Sequence, residues 1–243
     1  MTPPESRRAD TPDASPVAVA REFLRAVRVG PNAGVDVGAA RDRLAALDPD
    51  DLEALDADER LAFWLNAYNA AAGDALLSDP DRFENRGRFF SAPLVTVAGE
   101  ALSLDAMEHG ILRGSQWKYG LGYVPDPFPS AFVRRHRLAD RDCRIHFALN
   151  CGAASCPAVL AYDGETVDAA LDAAAEEYLR SETVVEGGTA YVPRHLLWYR
   201  GDFGGGSGIR RLLDEYGFVD PDAVSRIRYR EYDWSLALDA FRE

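Results

Sequence analysis

Apolar residues recur at helical spacing early in the chain, and that spacing predicts helices over Val17–Val27 and Val37–Leu47. A third stretch, Asp58–Leu77, is the best marked. Asp56 and Glu59 form an Asp-x-x-Glu start signal ahead of it. Leu61, Trp64, Leu65, Tyr68, Ala72 and Leu76 make one apolar face, and Ala62, Phe63, Ala67, Ala70 and Ala71 extend it around most of the circumference. A helix apolar on nearly every side belongs inside a fold. Asn66 and Asn69 stand one turn apart on it. A buried amide without partners costs about 1–3 kcal/mol, so these two either pin a neighbouring loop's backbone or line a pocket.

The pattern then changes period. Leu94–Val97 and Ala101–Leu104 flank Ala98-Gly99-Glu100 and read as a hairpin. Ser103 is placed to cap a helix over Leu104–Arg113, with Leu104, Met107 and Ile111 as its inner stripe. Glu108 falls inside that stripe, where a carboxylate is either paired or part of a site. His109 and Arg113 lie four apart on an adjacent face, one turn after Asp105. A ladder of surface charges explains those three and not Glu108. Gln116–Ser130, rich in Gly, Pro and aromatics, reads as an irregular loop. Arg144–Leu149 alternates as a strand does, with Ile145, Phe147 and Leu149 on one side and Arg144, His146 and Asn150 on the other. A helix over Thr166–Leu179 follows. Thr183–Val185 and Ala190–Val192 form a second hairpin, Gly204–Gly208 a hinge before a helix near Ile209–Tyr216, and Ile227–Tyr232 a last strand.

These elements predict an α+β fold. Its central buried helix, Asp58–Leu77, packs on a small, mostly antiparallel sheet containing Arg144–Leu149, with further helices around it. Residues 1–15, rich in Pro, Ser, Asp and Thr, read as a disordered tail, and residues 16–243 as a single domain.

At 243 residues, 47% hydrophobic and 10% aromatic, the chain can bury a full core. Its longest apolar run, around Leu61–Leu77, is broken by Asn66, Asn69 and Asp74, so no membrane span is expected. Arg7 and Arg8 are not followed by the apolar core of a secretory signal, and the expected location is cytoplasmic. The net charge of −13 repels phosphate backbones and disfavours a nucleic-acid partner. Lys118 is the only lysine; this acid-rich, lysine-poor balance resembles proteins of high-salt cytoplasm, although base composition can favour arginine equally well. No cofactor is expected: the glycine stretch lacks the Gly-Lys-Ser/Thr ending of a phosphate cradle. Three cysteines, an odd number, argue against a disulfide framework.

Candidate chemistry concentrates in Arg144–Pro157, RIHFALNCGAASCP. Pro157 suits the first position of a short helical turn, Pro157–Ala161, which would leave Cys156 at its cap with a lowered thiol pKa. His146 is then the candidate base, Gly152-Ala153-Ala154 a source of N–H groups for an oxyanion, and Asn150 an orienting group. Glu108 or His109 would orient the imidazole. This catalytic set of Cys156, His146, Glu108 and His109 points to a thiol-dependent hydrolase or acyl transferase. Two other readings stay open. The same cleft binds an unknown small molecule or peptide without catalysis, or the polar residues only staple loops to the core. Cys151, Cys156, His146 and His109 also offer four metal ligands, but Cys-x4-Cys is wider than a zinc knuckle and no metal is assigned. His136 and His195, flanked by arginines, read as surface residues.

Five stretches resemble the domain of unknown function 547 family: AFWLNAYNA at Ala62–Ala70, SLDAMEHGILR at Ser103–Arg113, HFALNCGAASCP at His146–Pro157, LLWYRGDF at Leu196–Phe203 and YDWSLAL at Tyr232–Leu238. They occur in the family's order. The family pattern commonly reads Cys-Pro-Pro and ends its last motif in Asn, where this chain has Ala158 and Ala237. The resemblance carries Asn66, Asn69, Glu108, His109, Arg113, His146, Asn150, Cys151, Ser155, Cys156, Asp202 and Asp233 into motif positions and implies no activity. Asn66, Asn69, Arg113, Asn150, Cys151 and Ser155 are accordingly the binding candidates, expected to converge with the catalytic set on one pocket. A papain-like or transglutaminase-like arrangement would suit such a fold, without that architecture's usual helix-start cysteine near Trp64.

Overall fold

In the computed structural model, which describes residues 15–30, 34–218 and 224–242, the chain opens with helices α1 (Pro16–Val29), α2 (Val37–Ala45), α3 (Pro49–Ala54) and α4 (Ala57–Ser78). Apart from Ser15, the expected N-terminal tail lies outside the described residues. A 3-10 turn and α5 (Arg86–Ser91) lead into a hairpin of β1 (Val95–Val97) and β2 (Glu100–Leu102). Then come α6 (Ala131–His136), α7 (Val167–Glu182), β3 (Val184–Glu186), β4 (Thr189–Val192), α8 (His195–Trp198), α9 (Gly205–Glu215) and β5 (Arg226–Tyr229). β3 and β4 pair antiparallel around Gly187-Gly188, and β5 joins β4 in parallel, with Ala190 opposite Ile227.

The start signal of α4 forms a reciprocal cap. Asp56 accepts the Glu59 N–H at 2.9 Å, and the Glu59 carboxylate accepts the Asp56 N–H at 3.1 Å. The helix then runs through the middle of the molecule with Ala62, Phe63, Leu65, Asn66 and Asn69 wholly buried. α1 packs along it, and Val95, Val97 and Leu102 of the hairpin join the same core. A second apolar cluster unites Ala175 and Leu179 of α7, Ala190 and Val192 of β4, and Ile209 and Leu213 of α9 with Phe147. The fold is α+β, as the periodicity indicates.

Three local expectations are corrected. Arg144–Leu149 is not a strand; Cys143–Phe147 forms a 3-10 turn. Asp142 nucleates it by accepting the Arg144 N–H at 2.9 Å. Every residue from Ile145 to Asn150 is buried, so no solvent face alternates with a core face. Asn69 stands in for a neighbouring strand: its Nδ2 donates to the Ala148 carbonyl and its Oδ1 accepts the Asn150 N–H, both at 2.9 Å. Asn66 clamps Tyr162 in the same two-way fashion, at 2.8 and 2.9 Å.

The helix expected over Leu104–Arg113 opens with Ser103 Oγ capping the Ala106 N–H at 3.1 Å, but becomes a π-helix over Ala106–Leu112. The Arg113 N–H donates to the Glu108 carbonyl, five residues back, at 2.8 Å. The wider turn brings both Glu108 and His109 inside with Met107, Ile111 and Leu112. The glycine stretch Gly204–Gly208 is not a hinge; α9 begins within it. A Cβ on Gly208 would sit 1.7 Å from the Phe203 carbonyl oxygen, so only glycine lets the first turn pass.

Replacing Asn69 with Ala leaves two buried backbone groups unpaired. An unfolding free energy lowered by roughly 2–6 kcal/mol in urea titration is expected, at about 1–3 kcal/mol per orphaned group. A loss well below 1 kcal/mol would show that solvent or a shifted backbone takes over the amide's role.

Candidate functional site

The loop from Asn150 to Pro157 is shaped by its own first side chain. Asn150 Nδ2 donates to the Pro157 carbonyl at 2.6 Å, and Asn150 Oδ1 accepts the Gly152 N–H at 2.8 Å. Gly152 has φ +92°, and a Cβ there would lie 2.4 Å from Leu76 of α4. The loop therefore lies directly on the central helix. The segment after β5 crosses it from outside. Ser155 exchanges backbone and hydroxyl bonds with Asp233, Ala154 donates to the Ser235 carbonyl at 2.8 Å, and Ala237 donates to the Gly152 carbonyl at 2.8 Å. The Tyr178 hydroxyl of α7 donates to the Ser155 carbonyl at 2.8 Å.

Pro157–Ala161 does not form the expected helical turn, so no helix dipole acts on Cys156. The residues after Cys156 are fastened in extended form by Asn150 and by the Asn66 clamp on Tyr162. The sulfur is held differently. The Cys151 N–H donates to Cys156 Sγ at 3.2 Å, Cys151 Sγ lies 3.2 Å away, and the Tyr232 hydroxyl lies 3.1 Å away. Burial opposes ionisation of Cys156, but the Cys151 thiol, the Tyr232 hydroxyl and the backbone at Cys151 and Ala153 bring its pKa down to about 7. Cys151 moves the other way. Its hydrogen bond to Cys156, then burial, push it well above the ordinary thiol value. The N–H groups of Gly152 and Ala154 are occupied by Asn150 and Ser235, so this pair does not form the expected oxyanion cradle.

A second polar array surrounds Asp202, on the turn after α8. Its carboxylate takes Arg113 Nε at 2.6 Å, His146 Nε2 at 2.9 Å and Arg141 Nη1 at 3.0 Å. Burial alone would raise the Asp202 pKa, but the His146 and Arg113 bonds hold it far below the usual carboxylate range. Arg113 also donates Nη1 to His109 Nδ1 at 2.9 Å, which leaves His109 neutral with its proton on Nε2. The Tyr199 ring stacks on His146 at 3.7 Å between centroids and lies 4.7 Å from the Arg113 guanidinium. Glu108 sits beside this array. Tyr68 donates to it at 3.4 Å, Tyr199 bonds to it, and His109 Nδ1 lies 3.7 Å away. Burial raises the Glu108 pKa, while His109, His146, Tyr199 and Arg113 outweigh it and leave the carboxyl below its ordinary value.

The candidates thus fall into two adjoining groups. Cys151, Cys156, Asn150 and Ser155 belong to the loop; Glu108, His109, Arg113 and His146 belong to the array around Asp202. Tyr68 and Tyr199 join them, since both feel Glu108 on one side and Cys151 on the other. His146 bonds to Asp202 and makes no hydrogen bond to either sulfur among the described residues. Asn66 and Asn69 hold backbone from beneath. Among the described residues no group of three or more His, Cys, Asp and Glu side chains is placed to hold a metal ion.

Two expected surface residues are buried. His136 packs 4.3 Å from the Phe132 ring. His195 bonds through Nδ1 to the Tyr178 hydroxyl at 3.0 Å and meets the Tyr232 ring edge-on at 5.1 Å. The pattern reading missed Tyr178, Tyr199, His195 and Tyr232 as site residues, although Tyr199 and Tyr232 lie within quoted motifs. Cys156 opens on a small cleft of about 140 Å³, lined also by Phe147, Ser155, Leu160, Tyr178 and Glu182. The larger hollow of about 930 Å³, between α1, α2 and the end of α4, contains none of these residues. Cys156 lines the smaller of the two.

An α+β domain built around a buried helix, with a polar array set against a pair of thiols, is the class of protein these features define. The chain belongs to the family described as protein of unknown function, DUF547, whose model matches residues 52–179. That span contains all three cysteines, Glu108, Arg113 and His146, whereas His195, Tyr199, Asp202 and Tyr232 lie beyond it. No curated protein and no solved structure matches the chain.

Burial lowers the pKa of His109, His136, His146 and His195, the last to about 3. Unfolded, each titrates near 6.5, so on acidification the unfolded chain takes up protons first. The stability from these neutral rings is full above that value and drains as pH falls below it, down to about 3 for His195. Urea unfolding should therefore weaken steadily between about pH 6.5 and 4. In His195→Phe the decline should be shallower by about 1.4 kcal/mol per pH unit. An unchanged slope would mean that His195 is protonated in the native state.

Proposed function

We propose that this domain is a thiol-dependent hydrolase or acyl transferase with Cys156 as nucleophile. One observation carries the reading: a backbone N–H, a thiol and a phenol converge on a single sulfur at 3.1–3.2 Å, at the edge of a cleft. Near neutral pH that sulfur is about half ionised, so attack needs no histidine in contact with it. The thiolate adds to an acyl carbonyl carbon, the bond from that carbon to the leaving group breaks, the leaving group departs with the proton that Cys156 gave up on ionising, and a thioester forms on Cys156. Water then releases the acid, or another nucleophile accepts the acyl group.

The remaining groups are positioning residues in this reading. His195, through Tyr178 and the edge of Tyr232, fixes the phenol that donates to the sulfur. Glu108, Arg113 and His146 fix Tyr199 and the wall behind the loop. The cleft is smaller than the few hundred Å³ that enclose a whole ligand, so it takes one end of a substrate, a short acyl chain.

Cys143 is an internal control, because burial pushes its thiol up to about 11. Iodoacetamide should alkylate Cys156 far faster than Cys143 at neutral pH, with a titration midpoint near 7. Tyr232→Phe should move that midpoint upward, toward the ordinary thiol value of about 8.5. With a p-nitrophenyl ester of a short acid, a burst is expected that Cys156→Ser abolishes. Should Cys156 react no faster than Cys143, the nucleophile assignment fails and non-catalytic binding of a peptide or small ligand in the cleft is favoured instead.

A further inference from the structure

The second sulfur hydrogen-bonds to the first and is not itself a nucleophile in acyl transfer, yet the two lie in contact. Cys151 Sγ and Cys156 Sγ are 3.2 Å apart, and a disulfide bond of about 2.05 Å would need them to close by only about 1.2 Å. The residues between them are Gly152, Ala153, Ala154 and Ser155, so no bulky side chain stands in the way. Their surroundings are unequal. Cys156 is half-buried and lines the cleft, whereas Cys151 is 8% exposed and is absent from the cleft lining. That is the arrangement of an attacking thiol with a resolving thiol behind it.

We propose that Cys151 and Cys156 form a redox pair that exchanges with an external small-molecule disulfide entering the cleft. The proposal rests on Cys156 being the reachable nucleophile of the preceding section. The Cys156 thiolate attacks one sulfur of the incoming disulfide, a mixed disulfide forms, and the first thiolate leaves with the proton that Cys156 gave up. Cys151 then attacks Cys156 Sγ. The Cys156–external bond breaks, the Cys151 proton goes to the second departing thiolate, and the Cys151–Cys156 bond remains. The two cysteines lose two electrons and two protons, and the external disulfide becomes two thiols. An external dithiol reverses the sequence.

The electrostatics favour this order. A thiol with a pKa near the ambient pH is the better attacker. The chief cause that raises the Cys151 thiol is its hydrogen bond to Cys156, with the Cys156 charge contributing as well. Both are removed once Cys156 is capped, so the resolving thiol is released by the first step.

The experiment treats the reduced full-length chain with oxidised glutathione at neutral pH, then blocks remaining thiols and reads intact mass and peptide maps. The expected product carries a Cys151–Cys156 bridge, no retained glutathione and Cys143 free to be blocked. Cys151→Ser and Cys151→Ala should instead trap glutathione on Cys156, Cys156→Ser should give neither product, and Cys143→Ser should behave as the unaltered chain. A stable glutathione adduct on Cys156 of the unaltered chain, a bridge through Cys143, or no reaction overturns the proposal. The failures are separable: rapid iodoacetamide labelling of Cys156 with a persistent adduct defeats exchange and leaves acyl transfer standing, while slow labelling defeats both.

Discussion

Residues 145–153, with Pro157, Val159 and Tyr162 further on, are buried outside any sheet, and buried backbone must find partners or lose several kcal/mol. The solution is a set of side-chain amides and hydroxyls. Asn69 takes Ala148 and Asn150, Asn150 closes its own loop onto Pro157, Asn66 takes Tyr162, and Tyr178 takes the Ser155 carbonyl. Two of these amides ride on the buried central helix. The position of both sulfurs is therefore referred directly to α4.

The charges obey a related economy. Asp202 is almost completely buried and survives as an anion because two guanidiniums and an imidazole N–H converge on it. Arg113 in turn fixes the His109 tautomer, and the Tyr199 ring packs against both Arg113 and His146. The imidazoles remain neutral, and the Asp202 carboxylate with its two guanidiniums and the Glu108 carboxylate carry the ionic character of this array. Glu108, brought inward by the π-helix, lies between this array and the cysteine loop, and Tyr68 and Tyr199 span the junction.

Much of the framework was legible in the amino acids. The Asp56–Glu59 cap, the all-round apolarity of α4 and the glycine turns of both hairpins depend on neighbours in sequence, and local pattern reports local physics. Arg144–Leu149 misled because alternation is only a proxy for a two-sided environment; here both sides are buried and Asn69 replaces the partner strand. The π-helix was hidden because its periodicity differs from that of an α-helix by one residue in a single turn. His136 and His195 read as surface residues because arginines stand beside them. Their burial comes from segments that meet only in three dimensions. Cys156 was marked as activated for a helix-cap reason that the fold does not supply; hydrogen bonds from Cys151 and Tyr232 have the same effect.

Tyr232 reaches Cys156 across 76 residues of sequence. During synthesis at about 5–20 residues per second, the cysteine loop would precede its phenol by roughly 4–15 s. For that interval the loop's amide anchors and the Cys151 contact can form while the phenol's bond to the sulfur cannot. The surroundings of the thiol are completed only when the later segment folds over the loop, so its hydrogen-bond set is assembled in two stages rather than one.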